Sequence, residues 1–367
     1  MHRRGFIAGA GVAGLAALTA REALTQGLRA SIDEPSGPGL AARAAKRGVL
    51  YGAATANYEL AQADFAQAFL READLLVAEY EMKRDALEPV RGRHDFSAAD
   101  ALAAFAQRHG LKLRGHTLCW YTSLPSWLDA SAFATRDETL LTGYIAAIAG
   151  RYRGRIHSWD VVNEALLPGD GRSDGLRNSP WLTAFGPSYI DIAYHAARAA
   201  DPHALLVYND WGFEAGGADN DRFRHVTLDF LEASLKRGVP IDALGLQGHL
   251  GAFGTPVDQK KLAVFLDRVK AMGLKILVTE HDVDDSGGPS DIAARDRAVA
   301  DASRRFLDVV LANSATEAVL TWGLSDRFLR AEGLRATLTG RRPRMLPLDD
   351  DLQRTAMWQA MARTFAG

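Results

Sequence analysis

The feature that most constrains this chain is a repeated pattern of elements. From Gly48 onward an amphipathic helix, a Gly or Pro stop, a short aliphatic run and a polar residue at the end of that run follow one another repeatedly. The aliphatic runs are "GVLYGAA", "DLLVAEY", "LKLRGHTL", "IHSWDVVNE", "ALLVYND", "DALGLQGH", "KILVTEHDV" and "EAVLTWGL", eight candidate strands. Helices are predicted around Asp64 to Leu70, Ala98 to His109, Asp137 to Tyr152, Tyr189 to Ala200, Asp221 to Arg237, Asp258 to Met272 and Ile292 to Ala312, with a last one at Leu352 to Phe365. Alternation of this kind implies parallel strands joined by right-handed crossovers. Eight consecutive units predict an α/β fold, an eight-stranded parallel β/α (TIM) barrel, as a single domain over residues 47–367. An open doubly wound sheet would carry a Gly-rich phosphate turn after its first strand, and "GAATANYEL" is not one.

The residues before the barrel divide in two. "MHRRGFIAGAGVAGLAALTA" pairs Arg3 and Arg4 with a weakly apolar run and resembles a twin-arginine export signal over residues 1–30. Its apolar part is short of the roughly 20 residues a membrane span needs. The expectation is therefore an exported, periplasmic or secreted protein with no stable membrane insertion after signal removal. Residues 31–46, rich in Gly, Ser, Pro and Ala without an apolar period, read as a linker. Lys plus Arg (43) nearly balances Asp plus Glu (45), and no basic block tracks a phosphate backbone, so nucleic acid is not an expected partner. Cys119 is the lone cysteine, which excludes an internal disulfide, and within "TLCWY" it reads as a buried thiol.

In such barrels functional groups gather at the C-terminal ends of the strands. Those ends carry Glu79, His116, Asn163 with Glu164, Asn209 with Asp210, Gln247 with His249, Glu280 with Asp282, and Trp322. Glu164 and Glu280 would close the fourth and seventh strands and face each other across the mouth. Two opposed carboxyl groups suit glycoside hydrolysis, one protonating the leaving oxygen while the other attacks the anomeric carbon or activates water. Strict alternation would point Asn163 and Glu164 opposite ways, so the strand must bend at its end if both serve one site. No cluster has metal-ligand spacing and no dinucleotide or phosphate fingerprint occurs; the two-carboxylate reaction needs neither metal nor cofactor.

"WDVVNEA" and "VTEHDVDD", with "EMKRDALEP", "RGHTLCWY", "LPSW", "YNDW", "GLQGHL" and "TWGLSDR", run in order from Gly48 to the C-terminus and resemble glycoside hydrolase family 10, the retaining endo-β-1,4-xylanases. The resemblance implies a xylan or xylo-oligosaccharide substrate, Glu164 as acid/base and Glu280 as nucleophile. It also implies Asn163 on the sugar 2-hydroxyl, His249 beside Glu280, and Asp282 orienting that imidazole. Lys83 and His116 would hold hydroxyls next to the scissile bond, Glu79 the next sugar, and Gln247 a further contact. Trp120 and Trp322 would be apolar platforms for pyranose faces. Retention expects carboxyl groups about 5 to 5.5 Å apart, inversion roughly 6.5 to 9.5 Å.

The chain departs from the family pattern at five places. Tyr80 stands where Asn is usual, Arg84 where Trp often follows the lysine, Tyr121 for a common His, His281 for an aliphatic residue, and Arg330 where a second tryptophan covers the cleaved sugar. A cationic Arg330 could meet an acidic decoration such as a glucuronate. Two alternatives stay open on these grounds: the same carboxylate pair acting on β-1,4-glucan or mixed substrates, and a catalytically weak xylan-binding barrel.

Overall fold

The computed structural model describes residues 37–329 and 341–366. The expected export signal, the first part of the expected linker and Arg330 lie outside the described residues. The strands are β1 Leu50–Thr55, β2 Leu75–Ala78, β3 Lys112–Cys119, β4 Ile156–Asn163, β5 Leu205–Asp210, β6 Ala243–Leu246, β7 His249–Gly251, β8 Lys275–Asp284 and β9 Thr316–Thr321. Each of β1 to β5 pairs in parallel with the next, β6 pairs with β8, β8 with β9, and β9 returns to β1, so eight strands close a barrel. The predicted sixth strand is delivered in two pieces. Its run breaks at Gln247 and Gly248, where Gly248 takes φ 77°, and the short β7 continues by pairing with β8 alone. A positive φ of that size costs a glycine little and most other residues far more.

Around the strands lie helices α1 Leu40–Ala44, α2 Ala63–Glu72, α3 Ser97–His109, α4 Thr139–Arg151, α5 Tyr189–Ala200, α6 Ala218–Lys236, α7 Gln259–Ala271, α8 Ile292–Ala312 and α9 Ala356–Ala366. Each predicted helix is present. The last starts at Ala356 rather than Leu352, because Leu352 sits at φ 60° and cannot belong to a right-handed helix. Apolar side chains separate into two bodies. Leu75 and Val77, and likewise Ala318 and Leu320, point inward at two-residue spacing and with Val207 and Leu277 fill the lower lumen. The residues that alternate with these, among them Leu76, Ala78, Tyr208, Val278 and Val319, pack outward against the helices in a larger continuous layer.

The expected linker over residues 31–46 is corrected from Leu40 onward. Leu40, Ala41 and Ala44 are buried on α1, which packs against α9 and α2. A five-residue helix with three small contacts leaves no period to read, so its docking shows only in three dimensions. The buried carboxylate of Glu72, at the end of α2, ties this corner together. It accepts from the Leu40 backbone at 3.0 Å, from Trp358 Nε1 at 2.8 Å and from Arg354 Nε at 3.0 Å. Removing one partner of such a buried set strands the others. Glu72→Ala is expected to lower unfolding free energy by about 3–5 kcal/mol in urea titration, while activity per folded molecule stays unchanged, because Glu72 lies at the end opposite the strand mouths.

Candidate active site

Glu164 follows directly on β4 and takes φ 55°. This left-handed turn is the bend that Asn163 and Glu164 require. It is unfavourable by about 1–2 kcal/mol for a residue with a Cβ, and it is held on both sides: the Glu164 amide donates to Asn209 O at 2.9 Å, and Arg177 Nε donates to Glu164 O at 2.7 Å. Asn163 Nδ2 and Gln247 Nε2 then both donate to Glu164 Oε1, at 3.3 and 2.9 Å.

On β8 a similar break works differently. Register against β9 shifts between Val278 and His281. Thr279 Oγ1 donates to Asn209 Oδ1 at 2.6 Å, while Asn209 Nδ2 donates to Glu280 Oε1 at 2.7 Å, so two consecutive residues reach the same amide inside the barrel. Asn209 Nδ2 also donates to Asn163 Oδ1 at 2.8 Å. Glu164 and Glu280 are thus joined across the mouth through two asparagine amides. Beyond the shift, Glu280 and Asp282 share a side, as alternation predicts, and His281 turns away. His281 is fully buried, donating from Nδ1 to Gly248 O at 2.9 Å and accepting from Ser303 Oγ at Nε2; burial pushes its imidazole down to about 4, which keeps it neutral.

His249 bridges the two acids of β8: Nε2 donates to Glu280 Oε2 at 3.3 Å and Nδ1 to Asp282 Oδ1 at 3.0 Å. Burial alone would discharge this imidazole, but Asp282 and then Glu280 outweigh it, and His249 stays protonated well above its ordinary value. Burial likewise works against the charge on Glu280, yet the hydrogen bond from His249 and the field of His116 hold its carboxyl below the usual range. Lys83 lies 5.2 Å from the Trp120 ring and 5.7 Å from that of Trp322. Burial lowers its ammonium against the pull of Glu280, Glu79 and other acids. His116 packs edge-on to Trp322 at 5.3 Å.

All the site residues expected from sequence, Glu79 included, sit at the strand mouths. Four contributors were not assigned. Asn209 was visible as a polar strand end without a role. Asp160 on β4 is fully buried, grips Arg114 of β3 with both oxygens and accepts from His116 Nδ1 at 2.8 Å. A charge in the middle of each of two aliphatic strands was the signal for that pair. Arg177 lies in a loop with nothing in "GLRNSP" to mark it. Exposed Trp211 stands at the rim of a cavity of about 1060 Å³ that opens from Glu164, Gln247 and His249.

His116, Asp160 and Glu280 offer ligand atoms within 4.8 Å of one another. With both Asp160 oxygens on a guanidinium, the trio is built as an ion-pair network and not as a cation cage. What the mouth can do is hold one ionised carboxylate, fed by His249 and Asn209, opposite a second carboxyl group on a turn open to the cavity.

The family model "Glycosyl hydrolase family 10" matches residues 39–363. An endo-1,4-beta-xylanase C of Paenibacillus barcinonensis is 35% identical over 273 residues, 67% of this chain but 24% of that protein, so the match spans about a quarter of that relative. An endo-1,4-beta-xylanase B of Thermotoga neapolitana is 32% identical over 70% of this chain and 72% of its own length. Among solved structures, xylanase 10B of Thermotoga petrophila in complex with xylobiose superposes with TM-score 0.79 at 26% identity, covering 91% of this chain and 98% of that one.

Because the imidazolium of His249 is favoured in the folded state, its contribution to stability is complete below the ordinary imidazole value and disappears as pH climbs through the raised one. The gap in unfolding free energy between wild type and His249→Asn is therefore expected to narrow from neutral toward alkaline pH. A gap that widened would contradict the assignment.

Proposed function

This chain belongs to glycosyl hydrolase family 10, and from that premise we propose that it is an endo-β-1,4-xylanase that cleaves internal xylosidic bonds with retention. The observation that carries the reading is the pair Glu164 and Glu280, brought from opposed strands to one mouth and coupled through Asn163 and Asn209. The xylobiose complex of the Thermotoga petrophila relative supports the substrate class.

In the first step ionised Glu280 attacks the anomeric carbon while the proton of Glu164 passes to the glycosidic oxygen, so the C–O bond breaks and a glycosyl ester forms on Glu280. Glu164, now a carboxylate, takes a proton from water in the second step. The water oxygen bonds to the anomeric carbon and the ester to Glu280 breaks, which restores both groups. Asn163 stands where it can donate to a 2-hydroxyl, and the Lys83 ammonium between Trp120 and Trp322 offers a charged donor on an apolar floor. His249, oriented by Asp282, keeps Glu280 ionised for attack.

The pairing of Arg3 and Arg4 with an apolar run supports export by the twin-arginine route as part of this proposal.

Incubation with a 2-deoxy-2-fluoro xylobioside bearing a good leaving group should trap an ester, and peptide mapping should find it on Glu280. A label on another residue, or steady hydrolysis without any label, would refute the assignment. Glu164→Ala should lose at least about a hundredfold on xylo-oligosaccharides, within the range general acid catalysis supplies, and far less on dinitrophenyl xylobioside, whose leaving group needs no proton. Equal loss on both substrates would remove the acid/base role. A barrel that only binds polysaccharide would release no new reducing ends from xylan.

A further inference from the structure

Arg177 is a buried arginine with one satisfied arm and one unsatisfied arm. Nε donates to Glu164 O at 2.7 Å, and the Arg177 amide donates to Ala165 O at 2.7 Å, so the two peptide units that follow Glu164 are both gripped. The guanidinium lies 4.2 Å over the ring of Tyr121, one of the positions where the chain departs from the family pattern. Nη2 is buried, has no hydrogen-bond partner, and stands 3.9 Å from Glu164 Oε2. The void that Arg177 shares with Tyr121, Asn163 and Glu164 has no room for a water molecule. An orphan buried donor normally finds an acceptor, and here the ion-pair partner at hand is the free oxygen of Glu164.

We propose that Arg177, clamped on Tyr121, is a positioning residue for Glu164: it fixes the left-handed turn that aims the carboxyl group and closes Nη2 onto Oε2 when that group has given up its proton. This inference rests on Glu164 being the acid/base. The first reaction step leaves Glu164 ionised, and the second begins from that ionised form; Arg177 would hold it in place between the two. The other charged and titratable groups that face Glu164 are Asp210 on β5, Lys83 after β2, His249 on β7 and Glu280 on β8. Of these, Asp210 is pushed up by burial to about 8, against the hydrogen bonds it accepts from the Tyr208 hydroxyl and the Trp211 amide. Lys83 feels Glu280 more strongly than Glu164 and His249 is bonded to Glu280, so among the described residues Arg177 is the cation within ion-pair distance of Glu164.

The test compares Arg177→Met, Arg177→Lys, Tyr121→Phe and Glu164→Ala on xylo-oligosaccharides and on dinitrophenyl xylobioside, with and without azide, after thermal unfolding has shown which variants fold. Arg177→Met is expected to lose at least tenfold more in kcat/KM on the oligosaccharide than on the aryl substrate. Its aryl kcat should rise with azide, which attacks the glycosyl ester without needing a base and gives a glycosyl azide. Arg177→Lys should recover part of the loss, and Tyr121→Phe, which keeps the ring beneath the guanidinium, should resemble wild type. Equal losses on both substrates and no azide response in Arg177→Met, with Glu164→Ala showing both effects, would overturn the inference. If Glu164→Ala itself showed neither, the acid/base reading would fail first. Should Arg177→Met not fold, Arg177→Lys and Arg177→Gln carry the same comparison.

Discussion

A carboxylate buried as deeply as Glu280 stays ionised only where fixed donors replace the water it has lost. That requirement organises the mouth of this barrel. Two donors meet it, Asn209 from β5 and His249 from β7, and each must arrive at the correct angle. Asn209 is fixed by a donor and an acceptor at once: its oxygen takes the Thr279 hydroxyl while its nitrogen serves Asn163 and Glu280. His249 reaches Glu280 because the sixth run of the barrel breaks at Gly248, leaving the lumen and joining the edge of β8. The irregularities of the strands are thus the means by which charge is placed. A barrel of eight regular strands would send every second polar side chain outward into the helices.

The same logic extends one layer down. Asp160 would be costly to bury on its own, and burial opposes its charge, yet the Arg114 guanidinium holds it ionised below the usual carboxylate range. Its remaining capacity goes to His116, which fixes that ring against Trp322. A buried ion pair of this kind adds little net stability compared with apolar packing. Its effect is positional, since a ring held by an ionised carboxylate cannot rotate away from the floor of the cleft. The lumen therefore has two regimes, aliphatic below and ionic above, with the change at the level of Arg114 and Asp160.

Much of this was legible in the chain because barrel strands announce themselves as aliphatic runs, and their functional ends as polar interruptions. Glu164, Glu280, His249 and Asp282 could be read that way, and so could the need for a bend between Asn163 and Glu164. The form of that bend could not. A positive φ at a glutamate depends on Arg177 and Asn209, one in a downstream loop and the other on a neighbouring strand, and no local pattern encodes either contact. Arg114 and Asp160 show in the sequence only as charges inside two separate strands, and only the pairing of β3 with β4 makes them a pair. The docking of α1 leaves no trace in the sequence because a five-residue helix is too short to show a period.

The departures from the family pattern sort by the direction in which they point. Tyr121 supports Arg177 from within, and His281 is locked between Gly248 and Ser303 behind the cleft. Arg84 is buried, paired with Glu88 at 3.0 Å, and lies over the Tyr144 ring at 4.2 Å with Trp127 and Trp181 near by. There a flat cation among aromatic faces fills the place where the family pattern often has an indole, which is an exchange of packing and not of sugar contacts. Tyr80 differs from these three. It is half exposed beside Glu79, and its hydroxyl donates to Asp85 at 2.9 Å, so its ring is held at the rim. Among the described departures, Tyr80 presents its ring at the rim, while the other three adjust the scaffold beneath the pair of carboxyl groups.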